Sequence, residues 1–308
     1  MTPTRLATPD LLRELEPAAA ANLDRHLRVA KEWMPHEYVP WSQGRDFDPA
    51  TGGEPWEAGH STLSSIAQVA FEVNLLTEDN LPSYHREIAE QFGRDGAWGT
   101  WVHRWTAEEG RHALVMRDYL LVTRGVDPVA LERGRMQQME TGYAADEKDS
   151  LRVLAYVSFQ ELATRISHRN TGRYTEDPVA ERLLARVAAD ENLHMVFYRD
   201  LCTAALALAP SQTVIAIATE VMGFQMPGTG ISDFNRKAKQ IAKAGIYDLR
   251  IHHDEVVSPL LRHWGFWDLQ GLDAEAEQAR TQVGEYLSAL DALATRYEDK
   301  RAAALAAV

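Results

Sequence analysis

A tetrapeptide that occurs twice restricts this chain more than any other feature. Glu109-Gly110-Arg111-His112 and Glu191-Asn192-Leu193-His194 both read Glu-x-x-His, and each follows a lone glutamate at nearly equal distance, Glu78 by 31 residues and Glu161 by 30. Residues three apart share a face of a helix, so each copy aims a carboxylate and an imidazole at one point. One Glu-x-x-His is weak evidence in a helical protein. Two copies, each one helix hairpin after a further carboxylate, are the four-carboxylate, two-imidazole inventory of a helical bundle holding two metals. Expected ligands are therefore Glu78, Glu109, His112, Glu161, Glu191 and His194. Asp79 competes with Glu78 should the register be shifted by one. Glu161 sits in the largely apolar Ser158-Phe159-Gln160-Glu161-Leu162-Ala163-Thr164, where an unpaired buried carboxylate is expensive and metal ligation removes the cost. Carboxylate and nitrogen donors without cysteine favour iron, with manganese as a possible substitute, over structural zinc or an iron–sulfur cluster.

The remaining sequence supplies the helices this site needs. Leu, Ala, Glu and Arg abound and long stretches lack Gly and Pro, so helix is the default. A short helix is expected around Asp10–Ala30, then an arm punctuated by Pro35, Pro40, Gly44, Pro49, Gly52 and Gly53. Helical spacing runs from about 61 to 91 with a kink or a local change of helical geometry at Pro82, then over 97–124, Lys148–Thr171 and 178–209, with Pro210 just beyond. Glu161 follows Glu109 by 52 residues, so two hairpins are joined by a long crossover. That predicts an all-α fold with a ferritin-like four-helix bundle core and flanking helices. Further helices are expected over 211–225 and 232–262, and a charged surface helix over 276–304 with a frayed end. The predicted division is an N-terminal helix and arm (1–60), a bundle domain (61–275) and a C-terminal helix and tail (276–308).

Composition narrows the function. The 308 residues suffice to bury a substantial core. A net charge of -13 disfavours a general nucleic-acid surface. No apolar run is long enough to span a bilayer, and no signal peptide is evident. Cys202 is the only cysteine; it reads as core packing, and its solitude predicts a reducing, cytoplasmic setting.

Other residues carry two readings each. The Thr164 hydroxyl, one turn after Glu161, either faces the metals or bonds back to its own helix. Asp190 either orients an imidazole through its outer nitrogen or is a surface charge. Trp33 packs the arm over the bundle or carries electrons toward it. His168 lacks a partner at Glu-x-x-His spacing and reads as structural. Trp98, Trp101 and Trp105 form a packing stripe.

Several segments resemble the soluble acyl-acyl-carrier-protein desaturases, the stearoyl-ACP desaturase family, and most of all its actinobacterial branch. They are Leu76-Thr77-Glu78-Asp79-Asn80-Leu81-Pro82-Ser83-Tyr84, Trp105 to His112, Ser158 to Glu161, Ile166-Ser167-His168-Arg169-Asn170-Thr171 and Ala188 to His194, with the arm Glu32 to Trp41. The likeness covers roughly residues 20–270. It implies bridging glutamates at Glu109 and Glu191, terminal carboxylates at Glu78 and Glu161, and histidine ligands at His112 and His194. It also implies an oxygen-side role for Thr164 and an electron route through Trp33, Asp190 and His112. Two motifs depart from the plant pattern, with Gly110 in one and Asn192-Leu193 in the other; neither change touches a ligand. The implied activity is O2-dependent insertion of a cis double bond into a long saturated acyl chain on acyl carrier protein. The implied partners are ferredoxin, as donor of two electrons, and a second copy in a homodimer. The clearest basic cluster for an acidic carrier is Arg236, Lys237, Lys239 and Lys243. Competing classes are ferritin-like oxidases or hydroxylases, storage proteins, ribonucleotide reductase small subunits, and a carrier-binding homologue without turnover.

Overall fold

The computed structural model describes residues 6–142, 148–228 and 230–306. All regular structure among them is helical, as the periodicity predicts. Helix α1 (Thr8–Val29) buries Leu11, Leu15, Ala19, Leu23 and His26, a single stripe. An arm of short 3-10 turns leads from it to α2 (Ser65–Glu78). Arg124, two residues past the helix Gly96–Val122, pins that arm: its guanidinium donates to the Glu54 carbonyl at 2.6 Å, and its own carbonyl accepts from the Trp56 indole at 2.9 Å.

Four helices carry the expected ligands: α2, α4 (Gly96–Val122), α6 (Ser150–Tyr174) and α7 (Pro178–Leu208). They pack in a ring, α2 on α4, α4 on α7, α7 on α6 and α6 on α2. The α6–α7 seam is the tightest; a Cβ on Gly172 would lie 3.1 Å from the Cα of Glu181. Each late helix starts on a capping aspartate, Asp149 for α6 and Asp177 for α7, which satisfies amides that the helix cannot. Around the ring, α1 covers α4 and α7, while α3 (Leu81–Phe92) covers α4 and α6. Helix α8 (Pro210–Gly223) covers α6 and α7, and α12 (Ala274–Ala306) lies on α8. This is the ferritin-like bundle with flanking helices. Among the described residues no helix is long and apolar enough to cross a membrane.

The structure corrects several boundaries. The stretch 61–91 is two helices broken at Asp79–Asn80, with Pro82 in the first turn of α3. Pro82 lacks the N–H that would take the carbonyl of residue i−4, here Glu78, so the ladder stops. Pro210 lies just beyond α7, as expected, and also opens α8, since proline suits the first helical position. The crossover contains an unexpected helix, α5 (Pro128–Thr141), started by Asp127 and Pro128. The stretch 232–262 divides into α9 (Phe234–Lys243), α10 (Leu249–Ile251), a π-helical turn (His252–Val257) and α11 (Ser258–His263). Gly245, at φ 73°, turns the chain after α9. Helix α12 is charged outside, yet it buries Ala276, Val283, Leu290 and Ala294. The helix runs through the end expected to fray, to Ala306; residues 307–308 lie outside the described residues.

Candidate metal centre

The doubled motif assembles into one site. Ligand atoms of Glu78, Glu109, His112 and Glu191 lie within 4.8 Å of one another, and so do those of Glu109, Glu161, Glu191 and His194. Glu109 and Glu191 belong to both groups, which is the geometry of a bridging pair. Glu78 is the last residue of α2, Glu109 and His112 share a face of α4, Glu161 projects from mid-α6, and Glu191 and His194 share a face of α7. His112, Glu191 and His194 have no solvent exposure, and Glu161 has 1%.

Such a cluster is costly without a cation. Glu109 Oε1, Glu161 Oε2, both Glu191 oxygens, and Nδ1 of His112 and of His194 have no hydrogen-bond partner. Buried polar atoms are rarely left this way. The His194 Nδ1 lies 2.7 Å from Glu109 Oε1 without hydrogen-bond geometry. These orphaned donor atoms converge on the same space, so the residues fit a pair of metal ions. Burial, then the neighbouring Glu191 charge, pushes the Glu161 carboxyl up to about 8. Burial likewise raises Glu109, against the pull of His112. Burial would raise Glu78 too, but His112 and His168 overrule it and hold that carboxyl below its usual range. Burial opposes charge on His112 and His194, yet the surrounding carboxylates raise both well above an ordinary histidine. Protons thus occupy the role that cations fill, and metal entry must displace them.

Each ligand-type imidazole is held from behind by a carboxylate. The outer nitrogen of His112 lies 3.5 Å from Asp190 Oδ2. That oxygen accepts from the Trp33 indole at 2.7 Å and from Arg111 at 3.2 Å. Arg186 bonds the other Asp190 oxygen. Trp33 lies parallel to the His112 ring at a centroid distance of 6.5 Å. Behind His194 stands Glu108, whose Oε2 is 3.0 Å from His194 Nε2 and 2.9 Å from His26 Nε2; Arg104 bonds its other oxygen. A hydrogen-bonded carboxylate, as Glu108 is for His194, fixes the tautomer and orientation of a ligating histidine; Asp190 stands behind His112 without hydrogen-bond geometry.

Glu108 was legible in principle. It precedes Glu109 as Asp190 precedes Glu191, so the repeated unit is an acid followed by Glu-x-x-His. His168 does more than pack: its Nε2 is 2.9 Å from Glu78 Oε1 and 3.5 Å from Glu191 Oε1. Its place seven residues after Glu161 puts it on the same face two turns later. Within the tryptophan stripe, Trp101 stacks on Phe197, while the Trp105 indole donates to Glu161 Oε1 at 3.1 Å. Thr164 is buried, with its hydroxyl directed at the Gln160 and Glu161 carbonyls, both at 3.1 Å; it bonds back to its own helix. Asp79 points away from the cluster and pairs with Arg135. Cys202 is core, and burial pushes its thiol up to about 12.

A narrow cleft of about 70 Å³ opens on the cluster. Its walls are α3, through Leu81, Tyr84, Ile88 and Gln91, and α6, through Val153, Val157 and Gln160. Glu78, Glu109, Glu161 and Trp105 lie at one end, and Gln91 and Lys148 at the other. From Leu81 to Gln91 the helical rise gives roughly 15 Å. The lining is mostly apolar at its centre, the shape and chemistry of a channel for a hydrocarbon chain.

Comparison with known proteins decides the class. The model of the fatty acid desaturase family matches residues 7–307. The chain belongs to the fatty acid desaturase family. It is 48% identical over 302 residues to DesA1 of Mycobacterium tuberculosis, named as an acyl-[acyl-carrier-protein] desaturase, covering 96% of this chain and 89% of that one. Similarity extends to acyl-[acyl-carrier-protein] desaturase 6, a chloroplastic rice protein, at 30% identity over 90% of this chain and 71% of the relative. The solved structure of DesA2 from M. tuberculosis superposes with a TM-score of 0.73 at 31% identity, covering 88% of this chain and 99% of that chain. The protein is thus an oxidoreductase of the desaturase family with a two-metal carboxylate–imidazole centre, and the actinobacterial branch is where its likeness is greatest.

Proposed function

We propose that the two clusters hold two iron ions through Glu78, Glu109, His112, Glu161, Glu191 and His194, and that the protein desaturates a long acyl chain carried on acyl carrier protein. The observation that carries this reading is the pair of clusters sharing Glu109 and Glu191 at one end of a narrow apolar cleft. Removing hydrogen from an unactivated chain requires an oxidant stronger than any side chain, which iron and O2 supply together. Overall, two adjacent methylenes, O2, two electrons and two protons become a cis alkene and two waters. Manganese fits the same donors as a substitute ion.

The chain's own residues do the rest. Leu81, Ile88, Val153 and Val157 exclude water and keep the acyl chain extended along the cleft. Trp33, Asp190 and His112 form a continuous contact path from the arm to the cluster, which suits them to pass electrons from a ferredoxin. Thr164, bonded within its helix, has its hydroxyl oxygen as the group left for an oxygen-side role. Arg236, Lys239 and Lys243 are exposed on α9 and line one groove, whereas Lys237 is turned inward onto Glu72 at 3.0 Å. The docking face for the acidic carrier is therefore the first three. The segment before α9 supplies Pro227 to the cleft and Ile231 to that groove, so a carrier on α9 stands beside the cleft. The working form is a cytoplasmic homodimer.

A panel of saturated acyl carrier substrates, supplied with reduced ferredoxin and O2, tests the reading by gas chromatography and mass spectrometry. A cis alkene that disappears without O2, or after Glu109→Ala, is the expected result. A hydroxylated product, or O2 consumption with unchanged acyl chains, would replace it with an oxygenase or an oxidase.

A further inference from the structure

We propose that Arg135, on the crossover helix, is a positioning residue for one half of the metal centre: it anchors the break between α2 and α3, and through it Glu78. The inference rests on the ligand set proposed above. Glu78 ends α2, and Pro82 denies its carbonyl the usual helical partner. The ladder still reaches it from the N-terminal side, where the Asp79 N–H donates to the Leu75 carbonyl at 2.9 Å, and His168 steadies its carboxylate, but nothing in the ladder ties it onward to α3. Asp79 supplies a further hold at the break. Asp79 is 6% exposed in its side chain and takes the Arg135 guanidinium on both oxygens, Nε on one and NH2 on the other at 2.9 Å. A two-pronged Arg–carboxylate pair fixes direction as well as distance.

The anchor does not end at α5. The remaining Arg135 nitrogen donates to Glu132 at 2.9 and 3.2 Å, and Glu132 accepts from Arg117 Nε on α4 at 2.7 Å. Arg117 lies five residues after His112. A chain of ion pairs thus runs from α4, around α5, to the last turn of α2. It ties together the helices that supply Glu78, Glu109 and His112, the ligands unique to one cluster plus one bridge. Glu161 and His194, unique to the other cluster, stand on α6 and α7, which supply none of these ion pairs among the described residues. Arg135 has a second consequence. It holds Asp79, a carboxylate adjacent in sequence to a ligand, away from the cluster, where it would otherwise compete for the same ion.

The two metal positions should therefore respond unequally. Metal-free wild-type protein, Arg135→Gln and Asp79→Asn are titrated with Co(II) as probe, and amide hydrogen exchange is followed over residues 77–84 and 158–164. Wild type should take two ions of similar affinity. Both variants should keep one and bind the other 10–100-fold more weakly, with faster exchange at 77–84 and none of that change at 158–164. Arg135→Lys, which keeps charge but loses the fork, should fall between. Two equal wild-type-like sites in the variants, or equal weakening of both, would overturn the proposal. If Arg135→Gln does not fold, Asp79→Asn, with the same shape and no charge, carries the test. If wild type takes no metal, the ligand set is wrong; the exchange comparison then decides alone whether Arg135 holds the break, and unchanged exchange at 77–84 overturns it.

Discussion

Replacing Glu108 by glutamine isolates what a charge behind a ligand histidine contributes. Its side chain is 4% exposed. One oxygen accepts from two imidazoles, at 2.9 Å from His26 and 3.0 Å from His194, and the other takes Arg104. A glutamine oxygen can keep both imidazoles only by turning its amide N–H groups toward Arg104, donor against donor. Arg104 is 39% exposed and rehydrates at little cost. The two imidazole bonds survive but lose the carboxylate charge, and the step from a charge-assisted bond, about 1.5–3 kcal/mol, to a neutral one, about 0.5–1.5 kcal/mol, bounds the cost of each. The loss is therefore at most about 2–3 kcal/mol for the pair. For a chain of this size that lowers Tm by about 3–5 °C, measured by scanning calorimetry on metal-free protein. Affinity for the ion nearer His194 should fall about 10–100-fold, read by titration with Co(II), while the ion nearer His112 is retained. Glu108→Leu, which strands both imidazole N–H groups, should be worse on both counts. A Glu108→Gln protein that melts within a degree of wild type and binds both ions unchanged would refute the reasoning.

Three further outcomes are expected. Trp33→Phe keeps the ring packing near His112 but removes the 2.7 Å bond to Asp190; stopped-flow reduction by ferredoxin should slow at least tenfold, about 1.4 kcal/mol, with metal content unchanged, and an unaltered rate would remove Trp33 from the route. Lys239→Glu with Lys243→Glu should raise KM for acyl carrier substrate more at low than at high salt, because screening weakens the attraction; an unchanged low-salt KM places docking elsewhere. Burial, with the charge of His253, lowers the His252 pKa to about 4, so the unfolded chain binds this proton first as pH falls. Its contribution is intact above about pH 6.5 and lost progressively toward pH 4, about 3 kcal/mol in all. His252→Gln, which still offers Tyr247 an acceptor for the 2.9 Å contact, should flatten that part of the urea-derived stability profile; the same slope as wild type would show that His252 does not titrate there.

The four ligand helices were legible because their period and the spacing of their acids agree. Each carboxylate needs only its own helix to be aimed, and α4 and α7 each bring an acid and an imidazole on one face. Helix α5 was not legible because it is polar nearly all round: only Leu131 and Gln138 are buried, so no apolar stripe announces it, although Asp127 and Pro128 mark its start. The break after Glu78 was misread as a kink because Pro82 is equally at home in a first helical turn. His26 and His168 were out of reach for another reason. They meet Glu108 and Glu78 across 82 and 90 residues, and local spacing carries no information about which helices will face each other. Lys237 shows the same limit at the surface: its partner, Glu72, is 165 residues away, so a row of cations in sequence overstates the charge that a partner meets.

The first helix and arm bring His26 and Trp33 to the backs of the two imidazoles, and this sets an order of events at birth. Trp33 leaves the ribosome 157 residues before Asp190, an interval of roughly 8–30 s at ordinary translation speed. Throughout it, the apolar stripe of α1 has no α7 to cover it. The nascent chain therefore exposes its first amphipathic helix for longer than any other part of the bundle, a natural handle for chaperones. Neither cluster can close until the seventh helix arrives with Glu191, which completes both at once.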